Sequence, residues 1–228
     1  MQSSRMGDNK LCGDPKLGAQ LRETLLNPLP KPAIYQLPSP KTSRQEGFTR
    51  YVEREGLKIQ WYQVDGLSDA GRLGKLGLFI KALRSRRLIL VGPEKLKPLE
   101  GDLFHFDRFV EVPDRSPKPP KDHPSRKGSD LPAWLSVPIA MRNNAWKYKD
   151  EVCSELRPIL EKDPSTVVMF CAGMLSETAI YDLFEPDRTL LDIGSVFDPF
   201  AGKLSRKYMR KVDSGIWDKS RREAGPLK

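Results

Sequence analysis

The segment from Ser165 to Arg210 restricts the possible folds more than any other part of the chain. Val167 to Cys171 is a short apolar run of β-branched and large side chains. It breaks at Ala172-Gly173 into a stretch whose apolar residues, Leu175, Ile180, Leu183 and Phe184, recur at helical spacing. After Pro186, a second apolar run from Thr189 to Ile193 ends in Asp192-Ile193-Gly194-Ser195, with Asp198 following closely. Strand, helix and strand make a βαβ unit, and such sheets bind ligands at the carboxyl ends of their strands. Gly173 and the residues from Asp192 to Asp198 are expected there. Gly173 would let a phosphate approach the backbone at a helix N-terminus, where free N–H groups and the helix dipole favour an anion. Ordinary turn and capping chemistry accounts equally well for each of these residues taken singly.

The same alternation extends through the chain. Apolar strand patterns are read at 33–37, 57–64, 88–91 and 109–112. Helical patterns follow Asp14-Pro15, run from Thr42 to Glu55, and start at Ser68-Asp69 with Leu73, Leu76, Ile80 and Leu83 as the buried stripe. A long helix is read from Asn143 to Lys162. Gly71, Gly74 and Gly77 lie inside a helical pattern, so close packing explains them better than a phosphate loop. These readings predict an α/β fold, a Rossmann-like three-layer domain with a mainly parallel sheet of about six strands. With 228 residues and 38% hydrophobic content, one domain over 1–212 suffices, followed by a polar, basic tail over 213–228.

Charge points outward. Lysine and arginine number 39 against 30 acidic residues, a net +9, which favours polyanionic partners. Residues 114–132 combine prolines and basic side chains with almost nothing to bury, and read as a long loop. Within it Lys118, Lys121, Arg126 and Lys127 are candidates to track a phosphate backbone, with Trp134 and Trp146 as stacking surfaces. A solvated linker beside two core tryptophans is the alternative. Three widely spaced cysteines, Cys12, Cys153 and Cys171, suggest neither a disulfide framework nor a cysteine zinc site. No secretory or membrane-spanning pattern is read, so a cytoplasmic protein without membrane attachment is expected.

Arg5-x-Gly7-Asp8 near the start, alternating α/β segments, and Ala172-Gly173 followed by Asp192-Ile193-Gly194 together resemble the GT-D-type glycosyltransferases. The segment Gly194-Ser195 to Asp198-Pro199, with Ser205-Arg206 after it, is similar to small phage-encoded members. The resemblance implies a GT-D-like fold and a nucleotide-sugar site, with a UDP-sugar donor bound by Arg5, Gly7, Asp8, Lys10, Gly173, Gly194, Ser195 and Arg206. It also implies a divalent metal, manganese or magnesium, at Asp8. Lys10 stands where the family has a glutamate, and Ser195 where it has a histidine. Lys10 can itself neutralise part of a diphosphate.

Sugar transfer needs a carboxylate to take the proton of the attacking hydroxyl, a role assigned first to Asp198 and second to Asp192. The expected acceptor is double-stranded DNA carrying hydroxymethylated pyrimidines; a glycan, peptide or lipid is the alternative. Two other classes compete, a Rossmann-type methyltransferase and a non-catalytic nucleic-acid-binding protein. No glycine-rich turn follows an early strand, which counts against the methyltransferase.

Overall fold

A computed structural model describes residues 66–113 and 145–227 except Lys207, together with scattered positions between 16 and 62. In chain order, β1 (Tyr35–Gln36) and β2 (Trp61–Tyr62) form a short parallel pair of their own. Helices α1 (Gly66–Arg72) and α2 (Gly77–Arg84) precede β3 (Leu88–Gly92). A 3-10 segment, Glu94–Leu99, leads to β4 (Arg108–Glu111). Then come α3 (Lys149–Lys162), β5 (Val167–Phe170), α4 (Met174–Leu183), β6 (Thr189–Asp192) and α5 (Gly215–Ala224).

Strands β3 to β6 form one four-stranded, fully parallel sheet in the order β4-β3-β5-β6. The βαβ unit expected around Gly173 is present as β5-α4-β6. The apolar runs predict about six strands in the sheet, and the described residues show four. Among the described residues, the two early runs contain the strands β1 and β2, which pair with each other and not with this sheet.

Alternation along the central strands divides the interior in two. Leu88 and Leu90 of β3 and Val167 and Met169 of β5 face a core shared with Leu76, Ile80 and Leu83 beside and within α2. Ile89, Val91, Val168 and Phe170 face the opposite core, against Val152, Leu156 and Leu160 of α3 and Leu175, Ala179 and Leu183 of α4. Helices thus cover both faces, which is why β3 and β5 read as unbroken apolar runs instead of alternating ones. Each such leucine or valine, fully withdrawn from water, contributes about 1.5–3 kcal/mol.

The expected polar tail is a folded element. In α5, Trp217, Ser220 and Ala224 form a buried stripe at helical spacing, with Trp217 only 6% exposed. Two of its side chains also complete α2. The N-terminus of α2 has no side-chain cap of its own. Ser220 Oγ accepts the Leu76 N–H at 3.4 Å, and Glu223 Oε2 accepts the Gly77 N–H at 3.2 Å. These oxygens satisfy N–H groups that a helix start leaves without partners, and the Glu223 charge meets the positive end of the dipole. Arg84, in the last turn of α2, donates in return to the Gly225 carbonyl at 2.7 Å at the end of α5. The tail reading fails because the caps join residues more than 140 positions apart.

Trp217 therefore gives a sharp stability test. Its Nε1–H is buried without a partner, so Trp217→Phe removes an unsatisfied donor and should change stability by less than about 1.5 kcal/mol. Trp217→Ala leaves a cavity and should cost about 3–5 kcal/mol in urea unfolding. Equal, small losses for both variants would mean that α5 is not docked.

Candidate active site

Strand order locates the site before any side chain is considered. From β3 the chain passes to β4 on one side, whereas from β5 it passes to β6 on the other. Adjacent parallel strands whose connections diverge leave a crevice at their carboxyl ends, the usual ligand position of open α/β sheets. Gly92 ends β3 there, and a Cβ on it would lie 3.1 Å from Leu96 Cδ1 and 3.2 Å from Cys171 Cβ. The two strand ends are therefore packed as closely as a glycine allows.

On the β5 side, Gly173 turns the chain into α4 at φ 61°, ψ −131°. That conformation is strained for any residue with a Cβ, so the position demands glycine. The turn is exposed and presents the start of a ten-residue helix. Inside it, the fully buried Ser176 hydroxyl accepts the Ala172 N–H at 3.2 Å and favours the charged form of the nearby Asp192 carboxylate at the end of β6. Asp192 Oδ1 also accepts the Gly194 N–H at 3.0 Å. A single serine thus lies between the two strand ends, beside the carboxylate.

Asp192 is exposed on one side and crowded by protein on the others. Burial by that surrounding mass pushes its carboxyl up to about 6, against smaller opposing effects from the Gly194 N–H and the Ser176 hydroxyl. Water reaching the exposed side screens part of this effect. A carboxylate with a raised pKa and open access has the properties of a general base near neutral pH.

Asp198, ranked first from sequence, occupies a different environment. It is 2% exposed at the start of the 3-10 segment Asp198–Ala201, and its carboxylate lies 3.6 Å from Lys95 Nζ. Lys95 comes from the segment after β3, so this ion pair bridges the strand ends on either side of β5. Ser195 is half-buried, and its hydroxyl oxygen accepts from Arg206 Nε at 3.0 Å. Arg206 itself is exposed beside the crevice.

Gly173, Asp192, Gly194, Ser195, Asp198 and Arg206 are accordingly grouped around the ends of β5 and β6. Arg5, Gly7, Asp8 and Lys10 lie outside the described residues, as do Lys118, Lys121, Arg126, Lys127 and Trp134. Trp146 is half-buried, with its indole N–H donating to Gln20 Oε1 at 3.1 Å. Sequence reasoning missed Lys95 and Ser176. Lys95 was findable, because it lies just beyond the Gly92-Pro93 strand end; Ser176 gave no signal, because it is one of several polar residues of α4, beside Glu177 and Thr178, and its spacing does not mark it as the buried one.

The described residues contain no group of three or more histidine, cysteine or acidic side chains able to hold a metal. Asp8, where the divalent cation is expected, lies outside them. Cys171 lies in the same cluster, but burial first, then Asp192 and Asp198, push its thiol well above the ordinary range. It is held as the protonated, poorly nucleophilic form. No helix among the described residues is long and apolar enough to cross a membrane. Comparison with protein-family models, curated proteins and solved structures finds no match to this chain.

The two aspartates should respond differently to neutralisation. For Asp192, the folded state keeps between about pH 4 and 6 a proton that the unfolded chain has released, so the stability of the native protein falls as pH rises through that window. Asp192→Asn removes this penalty, and its melting temperature relative to the parent should rise from about pH 4 to 6 and then level off. A flat difference would show that the carboxyl titrates normally. Asp198→Asn instead leaves Lys95 without its buried counter-charge and should cost about 1–3 kcal/mol at neutral pH, read by urea unfolding.

Proposed function

We propose that the chain is a nucleotide-sugar-dependent glycosyltransferase of Rossmann-like, GT-D-like architecture, acting on hydroxymethylated pyrimidines in DNA. The observation that carries this reading is the grouping of an open carboxylate, Asp192, with the Gly173 turn and the Ser195–Arg206 pair at the carboxyl ends of β5 and β6, next to the switch point between β3 and β5. Transfer of a sugar from a nucleoside diphosphate needs those two capacities side by side: a base for the acceptor and a place for developing negative charge.

In this reading the acceptor hydroxyl oxygen attacks the anomeric carbon of the donor. The bond from that carbon to the diphosphate oxygen breaks, and the diphosphate leaves with the electron pair. The hydroxyl proton passes to the Asp192 carboxylate. Negative charge on the departing diphosphate is met by the Arg206 guanidinium and by the N–H groups at the start of α4. Gly173 has no side chain to keep the phosphates away from those N–H groups.

Asp192 takes precedence over Asp198 as the base because a proton acceptor must reach the substrate. The buried Asp198 carboxylate is already engaged by Lys95. Its role is to fix the loop between Ser195 and the following 3-10 turn, with the Lys203 N–H closing that turn onto the Asp198 carbonyl at 2.8 Å.

Ligand binding separates this reading from its competitors. UDP-sugars should raise the melting temperature of the full chain, whereas S-adenosylmethionine should not. Asp192→Asn should lower sugar transfer by about 10²–10⁴-fold, the usual worth of a general base, while keeping the donor-induced shift. Stabilisation by S-adenosylmethionine without any response to UDP-sugars would replace the transferase of sugars by one of methyl groups.

A further inference from the structure

The residues after Asp198 carry more positive charge than a nucleotide sugar can use. From Pro199 to Val212 the sequence holds no acidic residue. Within that run Lys203, Arg206, Arg210 and Lys211 are all exposed, and among the described residues none of the four has an acidic partner. Elsewhere the structure pairs its arginines readily, as in Arg87 with Asp163 at 2.8 Å and Arg108 with Glu155 at 2.7 Å. Asp213, the first carboxylate after the run, accepts the Gly215 N–H at 2.8 Å and serves the start of α5.

This basic turn is held in shape. Met209 is buried in the core, and its sulfur accepts the Arg206 N–H at 3.4 Å and lies 3.7 Å from the Ser205 hydroxyl. Arg210 Nε donates to the Leu204 carbonyl at 3.3 Å. Behind the turn, the Arg72 guanidinium lies over the Tyr208 ring at 4.4 Å. At its front, Arg206 reaches Ser195 and so joins the turn to the site. Four like charges kept together on an ordered turn repel one another, an arrangement that a polyanion relieves.

We infer that the Lys203 to Lys211 turn is the docking surface for the phosphate backbone of a nucleic acid duplex, placed so that the bound strand runs past Asp192. The inference rests on the DNA acceptor proposed above for the same site. A nucleoside diphosphate occupies Arg206 and the α4 N-terminus, leaving Lys203, Arg210 and Lys211 over. A duplex, with one charge per about 1.7 Å of its axis, has phosphates for all of them. An anionic membrane is the poorer partner, because interfacial binding requires an apolar face. Of the apolar residues here Phe200 and Met209 are buried, and only Leu204, at 45%, is markedly exposed.

The test uses the full chain, a short fluorescent duplex and anisotropy over a salt series. Binding should weaken steeply with salt. Lys203→Ser/Arg210→Ser/Lys211→Ser should weaken it at least about tenfold at low salt and flatten the log-log slope by about 0.9 for each phosphate no longer neutralised. Arg206 is left intact, so the melting shift given by UDP-sugars should persist in the variant. Should the triple variant not fold, Lys203→Ser/Lys211→Ser keeps the Arg210–Leu204 hydrogen bond and gives the same readout at about two-thirds of the size. An unchanged slope, undetectable duplex binding by the parent at low salt, or binding to phosphatidylserine vesicles in its place would overturn the inference. Loss of the UDP-sugar shift together with duplex binding would also overturn it, by assigning the turn to the donor. Duplex binding needs no turnover, so a parent chain that binds DNA through this turn but ignores UDP-sugars refutes the transferase reading alone.

Discussion

A run of aromatic packing joins the candidate site to the rest of the molecule. Phe197, in the loop after β6, stands edge-on to Phe104 at 5.1 Å and is stacked with Phe79 at 6.3 Å. Phe200 packs against Phe197 at 5.8 Å and against Trp217 of α5 at 5.8 Å, both edge-to-face. Such pairs add about 0.5–1.5 kcal/mol each beyond the area they bury. The loop bearing Ser195 and Asp198 is therefore not a free surface loop. Two of its side chains are set in the same core as α2 and α5, and Arg221 of α5 fastens it further by donating to the Phe200 carbonyl at 2.8 Å.

Position and chemistry at the site separate along this line. Buried members of the loop, Phe197, Asp198 and Phe200, supply rigidity; Asp192, Ser195 and Arg206, which carry the proposed chemistry, are the more open residues. Catalytic groups need their supporting shell fixed closely, and here the support comes from α5, far along the chain from the strands it braces. This makes the C-terminal helix a part of the site's foundation, although none of its residues lies at the strand ends.

Local chemistry was legible in the sequence and long-range pairing was not. Strand, glycine turn and helix around Gly173 could be read because an apolar run, a positive-φ glycine and a 3.6-residue stripe follow one another directly. The acidic end of β6 was legible for the same reason. Helix α5 escaped because Ser220 and Glu223 look like surface residues until the uncapped start of α2 is brought beside them. The ion pair of Asp198 with Lys95 could not be read from sequence, because the sheet order places Lys95 across β5 while the chain places it more than 100 residues away. Six strands are described, but only four share the main sheet, because the apolar runs at 33–37 and 57–64 carry strand propensity without showing which partner they pair with.

The central claim is that a nucleotide sugar sits at the carboxyl ends of β5 and β6, and amide chemical-shift mapping tests it most directly. Titrating UDP-glucose into uniformly ¹⁵N-labelled full chain should shift the amides of Gly173, Leu175, Gly194 and Ser195 and the Nε–H of Arg206. Residues at the opposite ends of the same strands, such as Arg87 and Thr166, should stay in place. Shifts confined to those opposite ends, or no shifts at any concentration of the sugar nucleotide, would contradict the account.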